Sequence, residues 1–222
     1  MVNDSTRLKE TLLIGNRELA WELIEGHISA GKDTVTIFED IIAEAMREIG
    51  LLWEENIISV AEEHLATITC DYLLSRYQYY LQRKTKKRSG EHHRKALFFC
   101  VEEEYHFIGI KMTSILFEEN GWNTKFYGVN VPVESAMEAI KVWKPDVVGL
   151  SVSIIYHMKS FIEYTKQIAA LKNSPFLIVG GRIVDSYDMT KYCNSHSQIF
   201  NSLSDINMWL SSQQNMGGLH VH

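Results

Sequence analysis

The chain has 222 residues, 45% of them hydrophobic and 23% charged, with a formal net charge of −6. That is room for one large domain or two small ones, and the acidic balance argues against a direct nucleic-acid partner. No apolar run reaches the ~18 residues that span a bilayer. Met1-Val2-Asn3-Asp4-Ser5 lacks the basic-then-apolar pattern of a signal peptide, so a cytoplasmic protein without a membrane partner is expected.

Residues 1–81 read as helix throughout, a four-helix bundle. Leu8, Leu12 and Leu13 open an apolar period that Gly15-Asn16 breaks; Leu19, Ala20, Leu23 and Ile24 resume it until Gly31-Lys32-Asp33. Thr36-Ile37-Phe38-Glu39 reads as a capping box before Ile41, Ile42, Ala45, Met46 and Ile49, and Gly50 with Trp53 closes that helix. Ser59-Val60-Ala61-Glu62 is a second capping box, opening a helix that carries Leu65, Ile68, Leu73 and Tyr80. Residues 82–94 are polar, contain Ser89-Gly90 and hold the basic cluster Arg83-Lys84-Thr85-Lys86-Lys87-Arg88. They read as a solvated linker.

From 95 to 212 the period changes. Strand-like runs at Ala96–Val101, Thr124–Gly128, Val147–Val152 and Phe176–Val179 alternate with helical patterns around Ile110–Glu119, Val133–Val142 and Ser160–Leu171. A short strand near Gln198–Phe200 and a helix over Ser204–Leu210 complete the set, and residues 213–222 form a tail. This alternation predicts a flavodoxin-like, Rossmann-like parallel sheet of order 2-1-3-4-5, so the fold class is α plus α/β. Cys70, Cys100 and Cys193 are widely spaced without CxxC pairing, against a disulfide framework or a cysteine-rich zinc site.

Three loops should meet at the carboxyl edge of that sheet, where open α/β sheets bind ligands. The first carries Glu104 and His106, the second Ser151-Val152-Ser153, and the third Gly180-Gly181, where missing side chains let a ligand approach the backbone. A phosphorelay receiver would need an aspartate where Ser151 stands. A flavin site would want a loop richer in Ser, Thr and Gly after the first strand. Ser151 has no nucleophile-elbow motif around it. A metal held by an imidazole fits Glu104, two residues from His106, as the carboxylate orienting that ring. Spacing alone does not choose among these.

Glu104-Tyr105-His106-Phe107-Ile108-Gly109 resembles the cobalamin-binding signature Asp-x-His-x-x-Gly, with glutamate in the first position. Ser151-Val152-Ser153 and Gly180-Gly181 fall where that family carries its Ser-x-Leu or Ser-x-Thr and Gly-Gly elements, and the helical bundle resembles the family's cap. The resemblance implies base-off, His-on binding. His106 would be the lower cobalt ligand, Glu104 its hydrogen-bond partner, and Gly109, Ser151, Ser153, Gly180 and Gly181 would line the crevice for the displaced nucleotide tail.

Trp53 followed by nine residues and then Glu63-His64 is similar to the cap of light-sensing cobalamin proteins of the CarH/LitR type. That resemblance implies adenosylcobalamin as cofactor, with the indole over the upper ligand and the Glu-His pair against the 5′-deoxyadenosyl group. It differs in two respects. The chain starts at the cap with no DNA-binding segment before it, and Glu54 stands where some of these photoreceptors carry a histidine. The implied function is a stand-alone sensor, not an enzyme, signalling through self-association or a partner protein after light removes the adenosyl group. The alternative is a corrinoid carrier protein of a methyltransferase system, which shares the His106-type motif and a helical cap.

Overall fold

In a computed structural model describing residues 3–84 and 94–215, the chain divides into two units between residues 87 and 88. The first unit consists of four helical rods. α1 (Asp4–Leu13) ends at Gly15, whose φ of +69° turns the chain, and α2 (Arg17–Ser29) starts at Asn16, whose side chain accepts the Leu19 N–H. The third rod is α3 (Thr34–Thr36), a π-helical stretch (Ile37–Ala43) and α4 (Glu44–Glu54), run head to tail.

Its cap is Asp33 rather than the expected Thr36. The Asp33 carboxylate accepts the Thr36 N–H at 2.8 Å, so the chain enters the helix earlier and Thr36 lies inside it. Gly50 is interior to α4 and does not close it. The second capping box forms as expected before α5 (Val60–Lys84). The Ser59 N–H and hydroxyl both donate to Glu62, and the Glu62 N–H donates back to Ser59 Oγ. α5 runs to Lys84, into the segment expected as linker, with Arg83 and Lys84 in a last turn whose dipole favours cations. The rest of that linker up to residue 93 lies outside the described residues. Leu8, Leu12, Ile24, Phe38, Ile42, Ile49 and Leu73 form the unit's buried core. Among them the Tyr77 hydroxyl is satisfied by Thr34 at 2.9 Å.

The second unit alternates strand and helix: β1 (Lys95–Cys100), α6 (Ile108–Glu119), β2 (Asn123–Gly128), α7 (Val133–Trp143), β3 (Val147–Ser151), α8 (Met158–Ala169), β4 (Phe176–Gly180), β5 (Ser197–Ile199) and α9 (Leu203–Asn215). The strands form one parallel sheet in the predicted order β2-β1-β3-β4-β5. β1 and β3 are buried on both faces, as a central parallel pair must be, whereas the edge strand β2 alternates exposed and half-buried residues.

Leu97, Phe99, Val148 and Leu150 pack on one face with α7 and α8. On the other, Phe98 meets Phe117 of α6 edge-on, and Trp209 of α9 joins that aromatic group. Gly149 lies beside Phe98 in the register, and a side chain there would collide with the Phe98 ring. The helices following β1 and β3 therefore lie on opposite faces, which makes the β1–β3 boundary the switch point and opens a crevice at its carboxyl end. α9 continues past the expected Leu210 to Asn215, taking in the first residues of the expected tail; residues 216–222 lie outside the described residues.

Candidate functional site

After β1 the chain turns sharply. Glu103 adopts a left-handed φ of +66°, and the Glu104 N–H donates to the Val101 carbonyl at 3.0 Å. This turn directs Glu104 inward, where it is 0% exposed. Its Oε1 accepts the backbone N–H groups of Tyr105 (3.0 Å) and His106 (2.9 Å) and lies 2.5 Å from His106 Nδ1. Its Oε2 reaches across the crevice to the loop after β3, accepting the Ser153 N–H at 2.6 Å and meeting His157 Nδ1 at 3.2 Å.

Burial by itself would push the Glu104 carboxyl up. The hydrogen bonds from the His106 ring, the His106 and Ser153 backbones and His157 outweigh it and hold the group at about 2. Glu104 is thus ionised at neutral pH and can only accept. His106 Nδ1 is therefore the donor in that contact, and Nε2 is the ring nitrogen left free of Glu104. With its side chain 46% exposed, His106 offers an imidazole oriented by the carboxylate behind it.

Two groups outside the loop hold the turn. The buried Tyr164 hydroxyl, on α8, accepts the Glu102 N–H at 3.2 Å and donates to the Val131 carbonyl. Asn130, itself left-handed at φ +50°, accepts the Glu103 N–H on its side chain at 2.9 Å and donates its own N–H to the Glu104 carbonyl at 3.1 Å. The loops after β1 and β2 therefore clasp each other. Below them Cys100 is fully buried, and burial with the nearby Glu104 charge pushes its thiol up to about 12, so it remains a neutral filler.

The remaining residues expected at this edge lie as follows. Ser151 ends β3, buried, opposite Gly180 in the register. Ser153 touches Glu104 through its backbone N–H, not its hydroxyl. Gly109 is in the first turn of α6, with open space where a side chain would project. The two neighbouring glycines differ. Gly180 has room for a Cβ, with the Phe200 carbonyl 3.8 Å away, whereas Gly181 has a φ of +111° and a Cβ there would overlap the Val152 carbonyl. Gly181 is thus required by the loop's own packing.

In the helical unit, Trp53 lies in the last turn of α4, 48% exposed, and Glu63 and His64 in the first turns of α5. Glu63 accepts the Thr67 hydroxyl at 2.8 Å and stands 3.6 Å from His64 Nε2; the His64 side chain is 69% exposed. Sequence reasoning missed His157, Asn130 and Tyr164. The available signal for His157 was a histidine six residues beyond Ser151, in the loop that leaves β3 at the edge where Glu104 lies.

Residues 94–193 match a family model described as a B12 binding domain, and residues 5–77 match a second model of that description. Each unit thus carries one segment similar to a B12 binding domain. Its relatives include the HTH-type transcriptional repressor CarH of Myxococcus xanthus, 28% identical over 114 residues, which are 51% of this chain and 36% of that protein. The chain thus spans about a third of that relative's length (36%). The methanol–corrinoid protein of Methanosarcina barkeri is 24% identical over 182 residues, covering 79% of this chain and 67% of that one. A corrinoid protein of Desulfitobacterium hafniense is 22% identical over 177 residues, covering 78% and 81%. In fold, the chain resembles the monomethylamine corrinoid protein of Methanosarcina barkeri with a TM-score of 0.73 over 92% of this chain and 96% of that one, at 17% identity.

The residues at the crevice fit a corrinoid. A single imidazole with its Nδ1 already engaged suits a metal that arrives with its equatorial ligands in place. The open positions at Gly109 and Gly180 leave the backbone accessible to a ligand beside it.

Proposed function

We propose that this chain is a corrinoid carrier, a non-catalytic protein that holds cobalamin base-off and His-on through His106 and presents a cobalt-bound methyl group to partner enzymes. The observation that carries this reading is the reach of the similarity. Proteins named as corrinoid proteins align with most of this chain and with two thirds or more of their own length, whereas the CarH alignment takes in about half of this chain. When bound, cobalamin would supply a cobalt centre able to hold a methyl group, with His106 as the residue that would hold the cofactor.

This chain's own residues bind and orient. Glu104 engages His106 Nδ1 and so turns Nε2 toward a ligand. The clasp of Asn130 and Tyr164 keeps Glu104 in place. Gly180 leaves space beside β4 for the nucleotide tail of the cofactor.

The second reading is the adenosylcobalamin light sensor, favoured by Trp53, Glu63 and His64 and by the CarH similarity. Equilibrium binding of methylcobalamin and adenosylcobalamin, with size-exclusion chromatography in darkness and after green light, separates the two. A carrier binds methylcobalamin at least as tightly as adenosylcobalamin, and its size is unchanged by light. A preference of tenfold or more for adenosylcobalamin, with a light-dependent change in assembly, would overturn the carrier reading.

A further inference from the structure

The geometry points to a second binding site, at the edge of the sheet opposite His106: a cleft between α8 and the segment joining β4 to β5 that takes a small organic acid, holding both its carboxylate and its apolar body. Each earlier crossover of the sheet carries a helix of 11 or 12 residues. Residues 181–196 instead make two 3-10 turns, Arg182–Asp185 and Thr190–Tyr192, before β5 begins. Beside α8 these short turns leave a cleft of about 180 Å³. That is roughly the share of six waters in the liquid, room for a small organic molecule. Pro175 precedes β4 and Ser197 opens β5, so the cleft lies at the amino edge, away from the crevice described above.

The floor is apolar: Ile168, Pro175 and Leu177 are buried there, and the half-buried Tyr192 forms one wall. The rim is cationic. Lys166, in the last turn of α8, and Lys191 both line it, and neither forms an ion pair among the described residues. Two rings hold Lys191, whose Nζ lies 4.8 Å from the Tyr187 centroid and 5.1 Å from that of Tyr192. The chain carries a net charge of −6, yet none of the described residues lining the cleft is a carboxylate. Asp188, three residues before Lys191, instead accepts the Thr190 N–H and hydroxyl. Burial pushes the Cys193 thiol up, so it adds no negative charge. The aliphatic hydroxyls have spent their hydrogens on backbone carbonyls, Thr165 on Ile162, Ser174 on Pro175 and Ser197 on Asn194. Asn194 Oδ1 accepts the His196 N–H at 2.8 Å, which leaves Asn194 Nδ2 as a donor. At the end of α8 the Lys166 and Ile168 carbonyls are taken by the Ala170 and Leu171 N–H groups, which blunts the negative pole of the helix. Positive charge and unused donors therefore stand over an apolar floor. A neutral guest would leave the donors unmatched, and a bare inorganic ion would leave the floor wet. An organic acid of the size of benzoate answers both.

An amide 1H–15N shift titration of the full chain with benzoate, benzamide, acetate and inorganic phosphate tests the site. Benzoate should give saturable shifts confined to the cleft, at Ala169, Tyr192, Asn194 and Ser197. Benzamide lacks the charge and acetate lacks the apolar body, so each should bind about tenfold more weakly. Phosphate should also bind about tenfold more weakly, since it gains nothing from the floor. Lys166→Gln combined with Lys191→Gln should weaken benzoate about tenfold. Both lysines are exposed, so the fold should survive, and Lys166→Arg with Lys191→Arg should keep benzoate at the wild-type level. Four results would overturn the assignment: no saturable shifts at the cleft, benzamide binding as well as benzoate, phosphate binding as well as benzoate, or unchanged benzoate affinity in the glutamine pair. Every arm is free of cobalamin, so the outcome is independent of the role of His106.

Discussion

Gly180 and Gly181 look equivalent in the sequence, and the structure predicts opposite responses to the same substitution. At Gly181, alanine must adopt a φ of +111° and place its Cβ against the Val152 carbonyl. The backbone strain costs about 1–3 kcal/mol, and relieving the overlap costs a further ~1–3 kcal/mol because a carbonyl in a sheet loop cannot rotate away. The Val152 N–H also donates to the Gly180 carbonyl at 3.1 Å, so any shift of that peptide strains β3–β4 pairing. The expected drop in Tm for Gly181→Ala is roughly 10 °C or more. Gly180→Ala makes only an ordinary contact with the Phe200 carbonyl at 3.8 Å and should leave Tm within about 2 °C. Thermal unfolding followed by circular dichroism reads both. Equal stability of Gly181→Ala and wild type would refute the packing argument. A loss of cobalamin affinity in Gly180→Ala without loss of stability would mark that glycine as one kept for the ligand.

Asn130→Ala removes the acceptor of the Glu103 N–H and places alanine at a left-handed φ, so it should cost about 1–3 kcal/mol and speed amide exchange at Glu103, read by hydrogen exchange. Tyr164→Phe leaves the Glu102 N–H and the Val131 carbonyl without their shared hydroxyl and should lower stability by about 1–3 kcal/mol in denaturant titration. The Glu104 carboxyl lies below its ordinary value of 4.5, at about 2. The stability that it contributes is therefore complete above pH 4.5 and lost as pH falls toward 2, and Glu104→Gln should show a flatter acid limb in the same titration. Trp53→Ala should weaken methylcobalamin and adenosylcobalamin binding alike in a carrier; selective loss of the adenosyl form would favour the sensor.

Much of the second unit was legible because its cause is local. Buried parallel strands require apolar runs such as Leu97–Val101 and Val147–Val152, and those runs are visible without partners. Glu104 and His106 were legible because only Tyr105 separates donor and acceptor within one loop. His157 was not, since it meets Glu104 across 53 positions through a turn with no periodicity of its own. The reciprocal bonds of Asn130 and the internal need for Gly181 depend on backbone angles that composition does not encode. In the helical unit, Asp33 accepts the Thr36 N–H that the expected capping box would have given to Glu39, because Asp33 lies at the helix entry. The length of α5 was underestimated because Gln82, Arg83 and Lys84 read as linker while suiting the last turn of a helix.

The central claim is that cobalamin is held through His106. Electron paramagnetic resonance of the protein loaded with cob(II)alamin, with histidine labelled by 15N, tests it most directly. The account predicts axial nitrogen splitting that changes from a triplet to a doublet on labelling and disappears in His106→Ala. A triplet that persists in the labelled protein would mean that the cofactor keeps its own base, and would contradict the account.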